Sequence, residues 1–171
     1  MKDRAKLRVL LQEHHTSAWG WALCCCNGDR DMAEDTLHDA YLGVLEGKAV
    51  FDGRSSFKTW LFAVIRKMAN SKRVQMLRRL RILRERFWRP VRSDGELESG
   101  LYHAELREKV ETMLKNISRR QREVLQLVFY HDLSIEDAAQ VMGVSVGSAR
   151  THYQRGKERM RPQIEKAGLV K

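Results

Sequence analysis

Residues 133–161 read LSIEDAAQVMGVSVGSARTHYQRGKERMR, and this stretch decides the fold. Ser134 stands three residues before Asp137, at the spacing of a helix N-cap, and Ala138, Ala139, Val141 and Met142 follow as a short apolar helix face. Gly143 suits the left-handed backbone that ends a helix, and Ser145 can cap the next one. A small residue at Ala139, a glycine four positions on and an inward-facing Val144 have the spacing of a helix-turn-helix, in which two helices approach closely across a tight turn. That motif favours DNA binding over the plainer alternative, a helical bundle with a sharp corner.

In the last helix Ala149, Tyr153, Gly156 and Met160 recur at core-facing intervals, which turns Arg150, Thr151, Gln154 and Arg155 outward. Arginine and glutamine can each make paired hydrogen bonds to the major-groove edges of guanine and adenine, so these four are the candidate base-reading residues. Lys157, Arg159 and Arg161 suit phosphates or solvent. Gly156 is costly inside a helix, by about 1 kcal/mol against alanine, unless close packing requires it.

Upstream, Ser118-Arg-Arg-Gln121 forms a capping box ahead of Val124, Leu125, Val128 and Phe129, predicting a helix that ends near Tyr130. His131-Asp132 reads as the break. Farther back, Ser93 to Gly100 is acidic and rich in serine and glycine, the composition of a flexible linker. The expected organisation is therefore all-α, with two small helical domains at 1–89 and 105–171 joined by a linker at 90–104.

The N-terminal part is helical as well. Leu7, Leu10, Leu11, Trp19, Ala22 and Leu23 line a first helical stretch closed by the turn Asn27-Gly28-Asp29-Arg30. Asp31-Met-Ala-Glu34 resembles a capping box, predicting Asp31 as the cap of a second helix. Ala33, Leu37, Tyr41 and Val44 form its apolar stripe, while Glu34, Asp35, His38 and Asp39 give it a largely acidic outer surface. A third helix starts near Phe57 after a serine-rich turn, with Phe57, Trp60, Leu61, Val64 and Met68 toward the core. At about 100° per residue its opposite face carries Thr59, Phe62, Arg66, Asn70 and Arg73, flanked by Lys67. An aromatic set among cations and an amide is how single-stranded nucleic acid is held, although isolated surface aromatics are also common.

Charge is segregated along these 171 residues. The formal net charge is +10, and residues 66–92 hold eleven Lys or Arg against one acid, Glu85, which accounts for all of it. Residues 31–47 hold five acids and no Lys or Arg. Such a balance favours a polyanionic partner for one surface and a different partner for another. No apolar run approaches the ~20 residues a membrane span needs, and the N-terminus lacks a secretory pattern, so the cytoplasm is the expected compartment. The three cysteines, Cys24, Cys25 and Cys26, are adjacent and cannot build a disulfide framework. Their side chains project about 100° apart on a helix, so with His14 and His15 nearby they read as structural thiols rather than as a metal or redox sensor.

Four collinear segments, Asp31 to Tyr41, Phe51 to Leu61, Arg119 to Val124 and Leu133 to Arg161, resemble the regions shared by extracytoplasmic-function sigma factors of bacterial RNA polymerase. The resemblance covers most of the chain. It implies that the Asp31 to Glu46 helix, with Glu34, Asp35, His38 and Asp39, docks on the clamp helices of the polymerase's largest subunit. It implies that Asp52, Arg54, Ser55, Phe62, Arg66, Lys67, Asn70 and Arg73 open and read the minus-ten element, Phe62 stacking on a base and the loop before Phe57 receiving a flipped one. Arg150, Thr151, Gln154 and Arg155 would read the minus-thirty-five element while the same domain meets the flap of the second-largest subunit. An anti-sigma factor is a further implied partner. Departures from the family pattern at His38, Lys67, Ser71, Ser118 and Gly156 leave promoter sequence open.

Two other classes compete. A DNA-binding regulator that never joins polymerase would use the helix-turn-helix alone and leaves the first 75 residues unexplained. An enzyme would need a constellation of carboxylates, a nucleophile with its base, or a phosphate-cradling loop, and no such pattern stands in a suitable context; no cofactor or metal site is expected either.

Overall fold

The computed structural model describes residues 2–86 and 117–166, all of whose regular elements are helical. The expected linker and most of the expected domain boundary fall outside the described residues. In chain order the helices are α1 (Lys2–Glu13), α2 (His15–Cys25), α3 (Arg30–Leu45), α4 (Phe57–Arg86), α5 (Arg119–Leu125), α6 (Ile135–Met142) and α7 (Val146–Lys166).

Local chemistry sets most of the boundaries. The first stretch splits at His14 into α1 and α2, and α3 is capped by Asp29 rather than Asp31: the Asp29 carboxylate accepts from the Met32 N–H at 2.9 Å. Asp31 sits within the first turn, where an acid favours the positive end of the helix dipole. Asn27, in the left-handed region at φ 59°, and Gly28, at φ 87°, turn the chain between α2 and α3. Ser56 caps α4 by accepting from the Thr59 N–H at 3.0 Å. Ser118 and Gln121 complete the predicted capping box, Ser134 caps α6, and Ser145 caps α7 by accepting from the Ser148 N–H at 3.1 Å. Gly143 ends α6 at φ 62°, with the Val144 N–H donating back to the Ala139 carbonyl at 3.0 Å.

One element was not foreseen. α5 widens into a π-helical turn over Gln126–Tyr130, closed by the His131 N–H on the Gln126 carbonyl at 3.2 Å. The extra residue in that turn leaves Phe129 and Tyr130 exposed and carries His131 inward, where it is fully buried. Asp132, at φ 54°, then reverses the chain in a conformation that aspartate tolerates better than most residues. His131 is thus a core residue as well as the end of a helix.

α2, α3 and α4 pack on one another, with α1 against α3 and α2. Trp21, Leu37, Val44, Leu61 and Ile65 are buried among them. α5 and α6 pack on α7, burying Val124, Leu127, Met142 and Ala149. Gly156 is required by this packing, because a Cβ there would stand 2.9 Å from Leu125 Cδ1 and 3.2 Å from its Cγ. The two groups of helices are not separate in the structure: α6 lies on α4, α5 touches α2, and their buried side chains form one continuous apolar cluster.

Candidate nucleic-acid interface

α7 presents the expected reading face. Arg150, Thr151, Gln154 and Arg155 are all exposed along one side, opposite the buried Ala149 and Gly156. Arg150 forms an ion pair with Glu136 at 3.1 Å, both side chains more than half exposed, so the pair is weak and easily exchanged for another anion. The Thr151 hydroxyl donates to the Gly147 carbonyl at 2.9 Å. Lys157 lies over the Tyr153 ring, 4.7 Å from its centroid, and Tyr153 in turn stacks on Phe129. Tyr153 is therefore half-buried under cationic and aromatic cover, and Arg161 pairs with Glu165.

The face of α4 expected to be open is the one the structure covers. Thr59 and Phe62 have no exposed surface, Arg66 and Asn70 are half-buried, and only Lys67 and Arg73 of that group are exposed. Ascending α4 turn by turn, Thr59 Oγ1 donates to Asp137 at 3.2 Å and the Phe62 ring meets the His131 ring edge-on at 4.7 Å. One turn on, Arg66 pairs with Glu123 at 3.0 Å, and beyond it Asn70 Oδ1 accepts from Arg119 at 2.6 Å. The partners descend in number, 137, 131, 123 and 119, so the C-terminal helices cross α4 antiparallel as a continuous seam. Phe62 consequently packs as a core residue, stacked on Trp21 at 5.7 Å, whose indole N–H donates to the Phe62 carbonyl at 2.9 Å.

Charges line the seam. Glu123 is almost wholly buried; Arg66 donates to its Oε2, and Arg119 forms an ion pair with its Oε1 at 3.0 Å, where that oxygen accepts no hydrogen bond. Lys58 donates to the His131 carbonyl at 2.6 Å, and Arg122 donates to Asn27 across the same junction. Burial, with the positive charge of Lys58 adding to it, lowers the His131 pKa to about 4, and its buried Nε2 has no hydrogen-bond partner. Sequence periodicity missed His131, Glu123 and Asp137 as partners of α4. A glutamate beside Val124 and Leu125 on the buried side of α5 was the one available signal.

The other expected groups are arranged as follows. Asp52 and Arg54 are exposed and pair with each other at 3.1 Å, with Ser55 half-buried beside them. Glu34, Asp35, His38 and Asp39 are exposed on α3, but Lys72 of α4 reaches Asp39 at 2.8 Å and Asp35 at 3.8 Å, which partly neutralises that surface. Cys25 and Cys26 are buried and Cys24 nearly so. Burial pushes the Cys24 thiol up to about 12 and raises those of its neighbours. No cluster of potential metal ligands exists among the described residues, and no helix among them is long and apolar enough to cross a membrane.

The family models for Sigma-70 region 2 and Sigma-70, region 4, match residues 10–81 and 107–160, in that order. A relative from Bacillus subtilis (strain 168), the ECF RNA polymerase sigma factor SigX, is 33% identical over 142 residues, covering 80% of this chain and 73% of its own. The chain belongs to the ECF sigma factors. As such it is a sigma factor that binds RNA polymerase and serves promoter recognition in transcription initiation. The ECF RNA polymerase sigma factor SigC of Mycobacterium tuberculosis (strain CDC 1551 / Oshkosh) is 28% identical, over 88% of this sigma factor and 80% of its relative. Among solved structures, the sigma factor RpoE in its complex with the anti-sigma factor NepR from Bartonella quintana shares the fold at a TM-score of 0.69 and 23% identity, covering 94% of this chain and 97% of that one. CnrH, solved with the cytosolic domain of CnrY, gives 0.64 at 19% identity, over 94% and 88%.

Proposed function

We propose that this sigma factor brings core RNA polymerase to promoters by two separate readings of DNA and helps open the duplex between them. The observation that carries the reading is the exposed side of α7, where Arg150, Thr151, Gln154 and Arg155 stand on a well-capped helix-turn-helix. That face enters the major groove of the minus-thirty-five element, with Lys157 and Arg159 on phosphates. Asp52, Arg54, Ser55, Phe62, Arg66, Lys67, Asn70 and Arg73 serve the minus-ten element, whose non-template bases are captured once unstacked. Strand opening needs no nucleotide hydrolysis, because bases held by protein offset the cost of unstacking them.

On this reading the exposed acids of α3, with His38, dock on the clamp helices of the largest polymerase subunit, and the C-terminal helices meet the flap of the second largest. The protein acts in the cytoplasm, beside polymerase, as a binding subunit and not as an enzyme. An anti-sigma factor is its expected regulator, a class of partner with which the similar RpoE was solved.

The test is transcription in vitro, adding the purified chain to sigma-free core polymerase with a pool of promoter fragments. Promoter-specific transcripts absent without the chain are the expected result. Polymerase binding without transcripts would remove the promoter-opening role, and DNA binding with no polymerase binding would favour a regulator that acts alone.

A further inference from the structure

Arg150, the first of the four residues on the reading face of α7, is held from the other helix of the motif. Its Nη2 donates to Oε1 of Glu136 at 3.1 Å. Glu136 and Asp137 both stand in the first turn of α6, where the helix dipole favours an acid, but they turn different ways. Asp137 is taken up within the fold: its N–H donates to the Ser134 hydroxyl, and its carboxylate accepts from Ser134 at 2.7 Å and from Thr59 at 3.2 Å. Glu136 reaches out of its own helix to the next one. Among the described residues, Arg150 is the only member of the reading set with a side-chain partner on α6, whereas Thr151 donates within α7.

Both side chains are exposed, so the pair adds little to folding. Its geometry matters for what Arg150 does next. Glu136 engages one donor of the guanidinium, and the remaining N–H groups suffice for the paired hydrogen bonds that arginine makes to O6 and N7 of guanine. Those two acceptors carry no net charge, so a guanine edge and the Glu136 carboxylate can hold Arg150 together. A phosphate cannot share it in this way: it would draw the arginine off and leave Glu136 unpaired in the negative field of the duplex. Holding a long side chain in place before the base arrives also lowers the rotamer entropy lost on binding.

Resting on the assignment of α7 as the reader of the minus-thirty-five element, we propose that Glu136 is a positioning residue that aims Arg150 at a guanine and away from phosphates, and so sets specificity at one base pair through Arg150. The ligand it selects is a G·C pair at the position Arg150 meets. Water leaves the groove as the helix enters it, which strengthens the ion pair at the moment the base is read. Where no guanine stands at that position, Arg150 stays with the carboxylate and gains nothing from the duplex.

The experiment uses holoenzyme assembled from the full-length chain and sigma-free core polymerase, mixed with duplex promoter fragments randomised across the minus-thirty-five element, and sequences the bound fraction. Glu136→Gln, which keeps the shape of the side chain and removes its charge, should lower selection for guanine about tenfold at one position and leave the others unchanged. That position should be the one at which Arg150→Ala loses selection, and in the double variant Glu136→Gln should add nothing to that loss. Loss with Arg150→Ala but not with Glu136→Gln overturns the proposal and leaves α7 as the reader. An equal loss at every position with Glu136→Gln gives that residue a structural role and overturns the proposal as well. If Arg150→Ala selects at every position as the parent does, the assignment of the reading face fails and the proposal falls with it.

Discussion

Arg66 and Glu123 lie 57 residues apart in sequence, yet the guanidinium binds one carboxylate oxygen through both Nε, at 3.1 Å, and Nη2, at 3.0 Å, in a place where the acid has almost no exposed surface. A second cation offsets part of the cost of burying that charge: Arg119 Nε stands 3.0 Å from the other oxygen, an ion pair in which that oxygen accepts no hydrogen bond. The pair therefore joins the N-terminal helices to the C-terminal ones with geometric specificity, and it costs more to break than it contributes as a whole.

Removing one side of it gives the first prediction. Arg66→Ala should destabilise the folded chain by about 2–3 kcal/mol, since Glu123 keeps one cation but loses the guanidinium whose two nitrogens meet its Oε2. Adding Glu123→Gln to that variant should cost much less than Glu123→Gln alone. A double-mutant cycle by urea unfolding checks the coupling, and additive losses would count against a shared buried pair.

His131 makes the folded state sensitive to acid. Its pKa in the folded chain is lowered to about 4, below the ordinary value of 6.5, because burial between Trp21 and Phe62 and the nearby Lys58 disfavour a charged ring, opposed only by Asp132. Between about pH 6.5 and 4 the unfolded chain takes up a proton that the folded one refuses, so stability is full above that window and declines as pH falls through it. The midpoint of thermal unfolding should drop from pH 7 to pH 5 by less in His131→Phe than in the parent.

Gly156 tests the packing of the helix-turn-helix. Gly156→Leu places a side chain into Leu125 and the Gln121 Cβ, and should destabilise the C-terminal helices by about 1–3 kcal/mol despite leucine's better helix propensity. Circular dichroism during urea unfolding measures it.

The exposed face of α7 should separate specificity from affinity. Arg150→Ala and Arg155→Ala are each expected to reduce discrimination between minus-thirty-five variants by about 1–3 kcal/mol. Lys157→Ala should instead weaken binding to all sequences alike and lower the salt dependence by about one phosphate's worth. Competition assays at two salt concentrations distinguish the two patterns.

The chain's own sequence determined whatever depends on neighbours within a few residues. Helical periodicity, the caps at Ser118, Ser134 and Ser145, the left-handed Gly143 and the outward turn of Arg150, Thr151, Gln154 and Arg155 are all local, and all are found in the structure. Even the close approach at Gly156 was signalled by a glycine that helix propensity alone would reject. Only the tertiary structure decided which face of α4 meets water. Periodicity identifies two faces on a helix, but it cannot tell a polar face turned to solvent from one satisfied by Asp137, Glu123 and Arg119 arriving from 49 to 78 residues away. Phe62 among Thr59, Arg66 and Asn70 looks like an exposed platform when nothing is opposite, and becomes core once His131 closes over it. The difference lies in long-range packing, where hydrogen bonds and ion pairs satisfy buried polar groups that a one-dimensional pattern assigns to the surface.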